Sequence, residues 1–567
     1  MKFVFKLLGK YKKEAILAPF FKLLEALFEL LVPLVVARLI DFGIKEQNKG
    51  YITGTLLFLV LLAAVGLVCS ITAQYFSAKA AVGVGTRLRS RLFKHIQSLS
   101  FTELDKLGTS TMITRMTSDV NQVQNGVNML LRLVLRSPFI VFGAMIMAFT
   151  IDVKSALVFA GAIPVLMAVV FAIMLISIPL YKLTQSKLDL VTAKTRENLT
   201  GARVIRAFCR EKEEIHTFKR LNNDLTKTQK RVGKLSALMN PVTYIIINIA
   251  IILLIWVGAV RVDYGILTQG AVVALYNYMS QILIELIKLA NLIITLTKAV
   301  ACANRVEAVL NIESSLEHTK NDTIKTDNYI DFVNVGLKYK DAGEESLSNI
   351  SFSVKKGETI GIIGGTGSGK SSLVSLIPHF YDCTSGGVYV NGLNVKSYSK
   401  TELREKVGIV LQKAVLFKGT IKDNLLWGNG NASDEEINQA IATAQATDVI
   451  ASKQNGLNEM LEQGGKNLSG GQRQRLTIAR ALVKKPEILI LDDSASALDY
   501  ATDAKLRQAL KELKDTTVFI VSQRTASIMS ADKIIVLDDG IIAGIGTHTE
   551  LLKSCEVYSE IYYSQKG

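Results

Sequence analysis

The sequence predicts a two-part membrane protein. An all-α six-helix transmembrane domain with long cytoplasmic helix extensions is followed by an α/β P-loop nucleotide-binding domain. Three observations predict this. Long apolar runs fill the first 300 residues. Beyond about residue 325 the pattern becomes that of a soluble α/β domain, starting with the alternating, β-rich YIDFVNVGLKY at 329–339. A glycine-rich stretch, GGTGSGKSS at 364–372, lies between an apolar strand and a helix start. The expected domains are 1–310 and 325–567.

A chain of 567 residues has room for two or more domains. Its 66 Lys and Arg exceed its 50 Asp and Glu, a formal net charge of +16. A basic excess alone is weak evidence for nucleic acid. Here the cations gather in polar segments beside apolar spans, the positive-inside pattern of a membrane protein, so no nucleic acid partner is expected. The five cysteines, Cys69, Cys209, Cys302, Cys383 and Cys555, stand singly, with neither zinc-site spacing nor a disulfide framework. That suits a reducing cytoplasm for the soluble parts. The N-terminal MKFVFKLLGKYKK is basic and amphipathic and lacks a small-residue cleavage site. It reads as an interfacial helix leading into the first span rather than a cleaved signal. No peptidase-like segment precedes that span, which weakens a processing role.

A helix needs about 20 apolar residues to cross the hydrocarbon. Six segments qualify, near 15–40, 52–76, 129–151, 155–180, 241–263 and 270–297. The connections 41–51, 152–154 and 264–269 are short and carry few cations, whereas 77–128 and 181–240 are long and rich in Lys and Arg. The cation rule therefore places the N-terminus and both long connections in the cytoplasm of a cell-membrane protein. Six crossings return the chain to that side, where ATP is. No proline interrupts 52–98, so one helix of roughly 70 Å must run well past the bilayer. LSFTELDKLGT at 99–109 and ENLTGARVIRAF at 197–208 suit short transverse turns at the tips of such extensions. Lys22, Glu25 and Glu29 lie in the first span, Glu285 and Lys288 in the sixth. Such charges either line a substrate path or pair locally, and Lys22/Glu25 and Glu285/Lys288 have i,i+3 spacing.

In the second domain, strand, glycine loop and helix start follow in the order a phosphate loop requires. Gly364, Gly365, Thr366, Gly367, Ser368 and Gly369 let the backbone wrap an anion, before a helix N-terminus that starts with Lys370, Ser371 and Ser372. Lys370 should reach the β- and γ-phosphates of ATP, and the Ser371 hydroxyl should ligate Mg2+. ILILDD at 488–493 is an apolar strand that ends with Asp492 placed to hold the magnesium shell. LSGGQ, Leu468, Ser469, Gly470, Gly471 and Gln472, leads directly into a second helix and makes a second anion-binding N-terminus. One nucleotide has little use for two cradles in one chain. Two chains arranged head-to-tail do.

With LSGGQ in place, the sequence resembles the ATP-binding cassette (ABC) transporters, specifically exporter half-transporters in which six spans are fused to one nucleotide domain. The resemblance covers essentially the whole chain. It implies that Tyr339 stacks on adenine. It implies that Gln412 contacts magnesium and the attacking water, and that Ser496, Ala497, Leu498 and Asp499 form a loop that communicates across a dimer. It makes the turns near 99–109 and 197–208 coupling helices, met by LEQGGKN, where Gln463 replaces the glutamate of many members.

Two positions depart from the family pattern. The general base, a glutamate after the magnesium aspartate, is Asp493 here, its carboxylate withdrawn by roughly 1.5 Å. The histidine that meets the γ-phosphate is Gln523, which can hydrogen-bond but carries no positive charge. Both changes spare ATP binding and weaken hydrolysis, while the signature is intact. The expectation is the degenerate-site subunit of a heterodimeric bacterial multidrug exporter. Such a chain completes a partner's competent site and moves small amphipathic, drug-like or lipid-like molecules across the lipid bilayer. The alternatives are a slow homodimeric exporter of lipid or peptide, or an ATP-gated regulatory subunit that transports nothing.

Overall fold

The computed structural model describes residues 2–319, 322–340 and 342–566; positions 1 and 567, the outer limits of the two expected domains, lie outside the described residues. The chain divides into two compact units, Met1–Gln97 with Ser110–Ile312, and Ser98–Thr109 with Glu313–Gly567.

The first unit is helical throughout. Its elements are α1 (Lys2–Leu8), α2 (Lys12–Arg38), α3 (Lys49–Ser98), α5 (Thr109–Thr114), α6 (Val120–Leu133), α7 (Arg136–Ile151), α8 (Val153–Thr200), α9 (Ala202–Ala207), α10 (Glu211–Asp263) and α11 (Gln269–Leu310); α4 (Phe101–Leu107) lies with the second unit. The expected long helix is present: α3 runs unbroken for 50 residues, about 75 Å. The third expected span is broken between α6 and α7. Pro138 has no N–H to offer the Val134 carbonyl one turn back, so the helix turns there. Ile140, Phe159, Leu166, Leu254 and Tyr278 meet in a core built from α7, α8, α10 and α11. The Tyr278 hydroxyl donates to the Leu30 carbonyl at 2.6 Å, which ties α11 to α2.

Among the described residues, five helices are long and apolar enough to cross a membrane, not the expected six. The exception is α2. At 27 residues it is about 40 Å long, enough to span. Its apolar run is interrupted by Lys22, Glu25 and Glu29, and the structure shows how those charges are matched. Lys22 binds Glu25 at 2.6 Å and donates to the Ser70 hydroxyl at 3.4 Å. Glu29 accepts from Arg136 at 2.6 Å. The same guanidinium, only 7% exposed, also pairs with the buried Glu285, which accepts from Ser137 and Lys288, each at 2.8 Å. Both i,i+3 pairs read from the sequence exist. A long-range link through Arg136, at the break beside Pro138, ties Glu29 of α2 to the second of these pairs, and hydropathy alone does not single it out.

The second unit holds two main sheets. Its elements after α4 are β1 (Ile330–Leu337), β2 (Leu347–Val354), β3 (Thr359–Gly364), α12 (Lys370–Leu376), β4 (Ser385–Val390), β5 (Leu393–Asn394), α13 (Lys400–Lys406), β6 (Val407–Val410), β7 (Gly419–Thr420), α14 (Ile421–Leu426), α15 (Asp434–Thr443), α16 (Thr447–Ala451), β8 (Met460–Leu461), α17 (Gly470–Val483), β9 (Ile488–Asp492), α18 (Tyr500–Lys511), β10 (Thr517–Val521), α19 (Thr525–Ile528), β11 (Lys533–Asp538), β12 (Ile541–Gly546), α20 (His548–Ser554) and α21 (Glu556–Lys566). The larger sheet has the order β12-β11-β3-β10-β9-β6, parallel except for β12. Strands β9 and β10 are buried at every residue, as central parallel strands must be. A smaller antiparallel sheet, β2-β1-β4-β5, packs its apolar residues into the same core as β3 and α12.

The segment expected as the first transverse turn is α4, and it packs on the nucleotide unit. Ser100 and Glu103 form a reciprocal cap at its start. Phe101 packs against Phe380 with ring centroids 4.4 Å apart and the rings tilted by 32°, and the Tyr381 hydroxyl donates to Asp105 at 2.8 Å. Burial, with the Asp105 carboxylate beside it, pushes the Tyr381 phenol well above its ordinary value. The second expected turn is α9; Val204 within it and Phe208 directly after it are 60% and 73% exposed.

Removing a buried charge's partner costs about 3–5 kcal/mol, because the opposite charge is left unpaired. Arg136→Ala takes the ion-pair partner from Glu29 and leaves the buried Glu285 with only the Lys288 ammonium, which is 43% exposed, whereas loss of Lys288 leaves Glu285 paired with the buried Arg136. Arg136→Ala should therefore lower the thermal unfolding temperature in detergent far more than Lys288→Ala.

Candidate nucleotide-binding site

Parallel strands place their carboxyl ends along one edge, where α/β sheets bind ligands. The adjacent strands β3, β10, β9 and β6 deliver to that edge, in turn, the glycine loop, Ser522–Gln523, Asp492–Asp493 and the segment leading to Gln412. These residues line one cleft of about 240 Å³. Sequence alone separates them by as many as 157 positions. The sheet order brings them together.

The loop from Gly364 to Gly369 turns sharply into α12. Gly367 and Gly369 have φ of +89° and +90°, and a Cβ on Gly369 would lie 2.6 Å from the Ser346 carbonyl oxygen, so glycine is required there. Lys370 opens α12 and is 9% exposed. Its ammonium folds back onto the loop, donating to the Gly364 carbonyl at 3.0 Å, the Gly365 carbonyl and the Ser368 hydroxyl at 3.2 Å. Burial holds its pKa below the ordinary lysine value, against the pull of Asp493 and Asp492. Ser371 donates to Asp492 at 2.9 Å. Burial, reinforced by the charge of Asp493, raises the Asp492 carboxyl above its usual range despite that bond. An anion beside Lys370 and a hard cation beside Asp492 would each favour the charged form that burial disfavours. Ser371 and Asp492 present adjacent oxygens of the kind Mg2+ prefers, so the residues fit a magnesium ion.

Asp493 follows β9 with φ +46°, a left-handed conformation that is uncommon for a residue bearing a Cβ. Its backbone is held on both sides: its N–H donates to the Val521 carbonyl at 3.0 Å, and its carbonyl accepts from the Ser496 hydroxyl at 2.8 Å. Its carboxylate accepts a long contact from Gln412 Nε2 at 3.5 Å. Gln523 is exposed at the same edge.

Tyr339 does not itself line the cleft but bonds to Ser372, which does. Its hydroxyl donates to Ser372 at 2.9 Å, its ring meets Tyr381 edge-on with centroids 5.1 Å apart, and burial raises its pKa. Leu468, Ser469, Gly470, Gly471 and Gln472 do not line the cleft either. They form the start of α17. Ser469 Oγ accepts from the Gln472 N–H at 3.3 Å, and Gln472 Oε1 accepts from the Ser469 N–H at 3.0 Å, a reciprocal cap. A Cβ on Gly471 would sit 3.0 Å from the Ala497 carbonyl oxygen, so the glycine allows the loop 496–499 to come close. Asp499 caps α18 through the Thr502 N–H at 2.9 Å. Arg524 was not singled out from the sequence, yet its guanidinium donates to the carbonyls of Ser496 and Leu498, each at 3.2 Å, and lies over the Tyr500 ring. An arginine after an apolar strand carries no signal until the fold shows its targets.

Comparison with known proteins agrees with this architecture. The ABC transporter transmembrane region model matches residues 15–286, and the ABC transporter model matches 347–496. The chain is 37% identical over 564 residues to the uncharacterized ABC transporter ATP-binding protein YfiB of Bacillus subtilis, covering 99% of this chain and 98% of YfiB. It is 32% identical over 583 residues to the putative multidrug export ATP-binding/permease protein YgaD of the same species, covering 100% of this chain and 99% of YgaD. Its fold matches the structure of a bacterial Atm1-family ABC exporter with ATP bound, with a TM-score of 0.80 and 22% identity over 98% of each chain.

Ser371 and Ser372 are neighbours with different contacts, and substitution should separate them. Ser371→Ala removes a hydroxyl bonded to a carboxylate and should weaken the Mg2+ dependence of ATP binding about tenfold, as read by magnesium titration. Ser372→Ala frees the Tyr339 hydroxyl and should leave that titration unchanged.

Proposed function

The chain belongs to the ABC transporter family, membrane-spanning proteins that use ATP with Mg2+ to drive transport, and from that premise we propose that it is one half of a heterodimeric exporter in the cell membrane. Its nucleotide domain faces the cytoplasm. Its own cleft holds ATP and hydrolyses it slowly, while its signature completes the competent cleft of a second half-transporter.

The observation that carries this reading is the fixed backbone of Asp493. A carboxylate shortened by one methylene could still act as a base if its backbone moved forward. Here the N–H is tied to Val521 and the carbonyl to Ser496, so the reach is lost. A misplacement of about 1 Å can cost on the order of 100-fold in rate. Gln523 at the same edge offers a neutral donor in place of an imidazolium, which lowers the stabilisation of the charge that develops on the transferring phosphate. Neither change touches Lys370, Ser371 or Asp492, which would hold the phosphates and the metal. Mg2+, when bound, supplies charge neutralisation at the phosphate oxygens. Gln412 would orient the water, Tyr339 would stack on adenine, and the glycine loop would cradle the phosphates.

The signature points the same way. Ser469 and its helix start are well formed and do not line the chain's own cleft, as expected of a group serving a partner's nucleotide. The exposed Val204 of α9 and Phe208 at its end are apolar residues that a partner's nucleotide domain could cover. Closure of the two nucleotide domains on ATP would then pass through α4 and α9 to the membrane helices. In the membrane unit, a groove of about 610 Å³ combines Phe28, Val32 and Leu59 with Glu29 and Arg136 on its walls. Mostly apolar walls with a few polar groups suit a small amphipathic substrate.

Purified alone, the chain should hydrolyse ATP very slowly, and rapid turnover by a proven homodimer would sink the proposal. Asp493→Glu should raise turnover at this chain's cleft by up to about 100-fold. Within the heterodimer, Ser469→Ala should depress steady-state ATPase activity directly. Lys370→Ala should instead alter its regulation more than its rate; equal losses from the two would argue for equivalent sites. ATP-dependent accumulation of a fluorescent drug or lipid in inside-out vesicles would separate a pump from a regulator.

A further inference from the structure

The short helix α19 begins two residues after Gln523, and Arg524, the residue before it, provides no side-chain cap. The cap comes from the far end of the unit. Gln565, in the last turn of α21, accepts through Oε1 from the Thr525 N–H at 2.9 Å and from the Thr525 hydroxyl at 3.0 Å. Its Nε2 donates to the Gln523 carbonyl at 2.7 Å. One primary amide therefore uses both of its ends to bracket the segment Gln523–Thr525.

The bracket is itself anchored. Tyr558 on α21 is fully buried, and its hydroxyl lies 2.7 Å from His548 Nδ1; the His548 ring also meets Tyr562 edge-on. Between the two bracketed residues, Arg524 holds the carbonyls of Ser496 and Leu498. The turn that carries Gln523 is thus fixed from one side by the 496–499 loop and from the other by α21. Its side chain is left exposed at the cleft with no backbone freedom of its own.

We infer that Gln565 is a positioning residue for Gln523. By holding the Gln523 carbonyl and the Thr525 amide together, it sets where the Gln523 side chain stands relative to the γ-phosphate. A group that stabilises developing charge must be placed within a fraction of an ångström, so a residue that fixes its backbone acts on rate rather than on ground-state binding. The inference needs only that this cleft binds ATP, and it holds whether the second subunit is the same chain or another.

Three variants of the full-length chain, in the assembled transporter with the other cleft silenced at its phosphate-loop lysine, test it. Gln565→Ala removes all three hydrogen bonds. Gln565→Glu keeps both acceptor roles toward Thr525 but sets a carboxylate oxygen against the Gln523 carbonyl. Tyr563→Ala, an exposed change on the same helix, is the control. Amide hydrogen exchange across 522–528 should quicken about tenfold in Gln565→Ala, in keeping with the loss of two to three modest hydrogen bonds. For Mg-ATP hydrolysis, kcat should fall about tenfold with KM within about twofold, since the lost interaction serves the transition state. Gln565→Glu should show the same kcat loss, and the control should match wild type. Wild-type activity in Gln565→Glu would reduce Gln565 to a helix cap and overturn the inference. So would unchanged exchange, or faster exchange with unchanged kcat. A parallel loss of thermal stability and ATP binding would make the residue merely structural and overturn it equally.

Discussion

Strand β10 lies between β3 and β9, and the nucleotide site depends on that adjacency. The register is parallel and continuous: Val521 sits beside Ile362 on one side and Asp492 on the other. Because the three strands end together, the glycine loop, the acidic pair and Gln523 arrive at one edge without long connecting side chains. The backbone bond from Asp493 to Val521 and the bond from Ser522 to Ile362 extend the same ladder past the strand ends into the loops. These bonds tie the backbone of the cleft to the sheet.

The membrane unit solves a different problem. Charges inside an apolar bundle are tolerated when they neutralise one another, and here three acids and three bases do so across α2, α7 and α11. Arg136 is the hub because guanidinium can hold two carboxylates at once, with planar donors that lysine lacks. Its place at the α6–α7 break matters. Arg136 is the first residue of α7, directly after that break.

Much of this was legible in sequence because it is local. The glycine loop, the ILILDD strand, the LSGGQ helix start and the proline-free run that becomes α3 each announce themselves within a dozen or a few dozen residues. The matching of charges in the first span was only partly legible: the Lys22–Glu25 pair is local, whereas Ser70 and Arg136, which meet Lys22 and Glu29, are distant in sequence. Arg524 and Gln565 were invisible for the same reason. Their partners are backbone carbonyls and amides, which have no sequence identity at all. The docking of α4 through Phe101 and Asp105 was half legible, since an amphipathic turn can be seen but its receptor, Phe380–Tyr381, cannot.

The reciprocal cap at Ser469 and Gln472 has one more consequence. The start of α17 is exposed and carries the positive end of a helix, so it would attract any passing anion. The reciprocal cap engages only the N–H groups of Ser469 and Gln472. Gly470 and Gly471, the first two residues of the helix, have amides with no acceptor within it. A Cβ on Gly470 would meet nothing within 4 Å, so the space before those amides is open. The cap thus works as a frame: it fixes the outline of the helix start and leaves its centre clear.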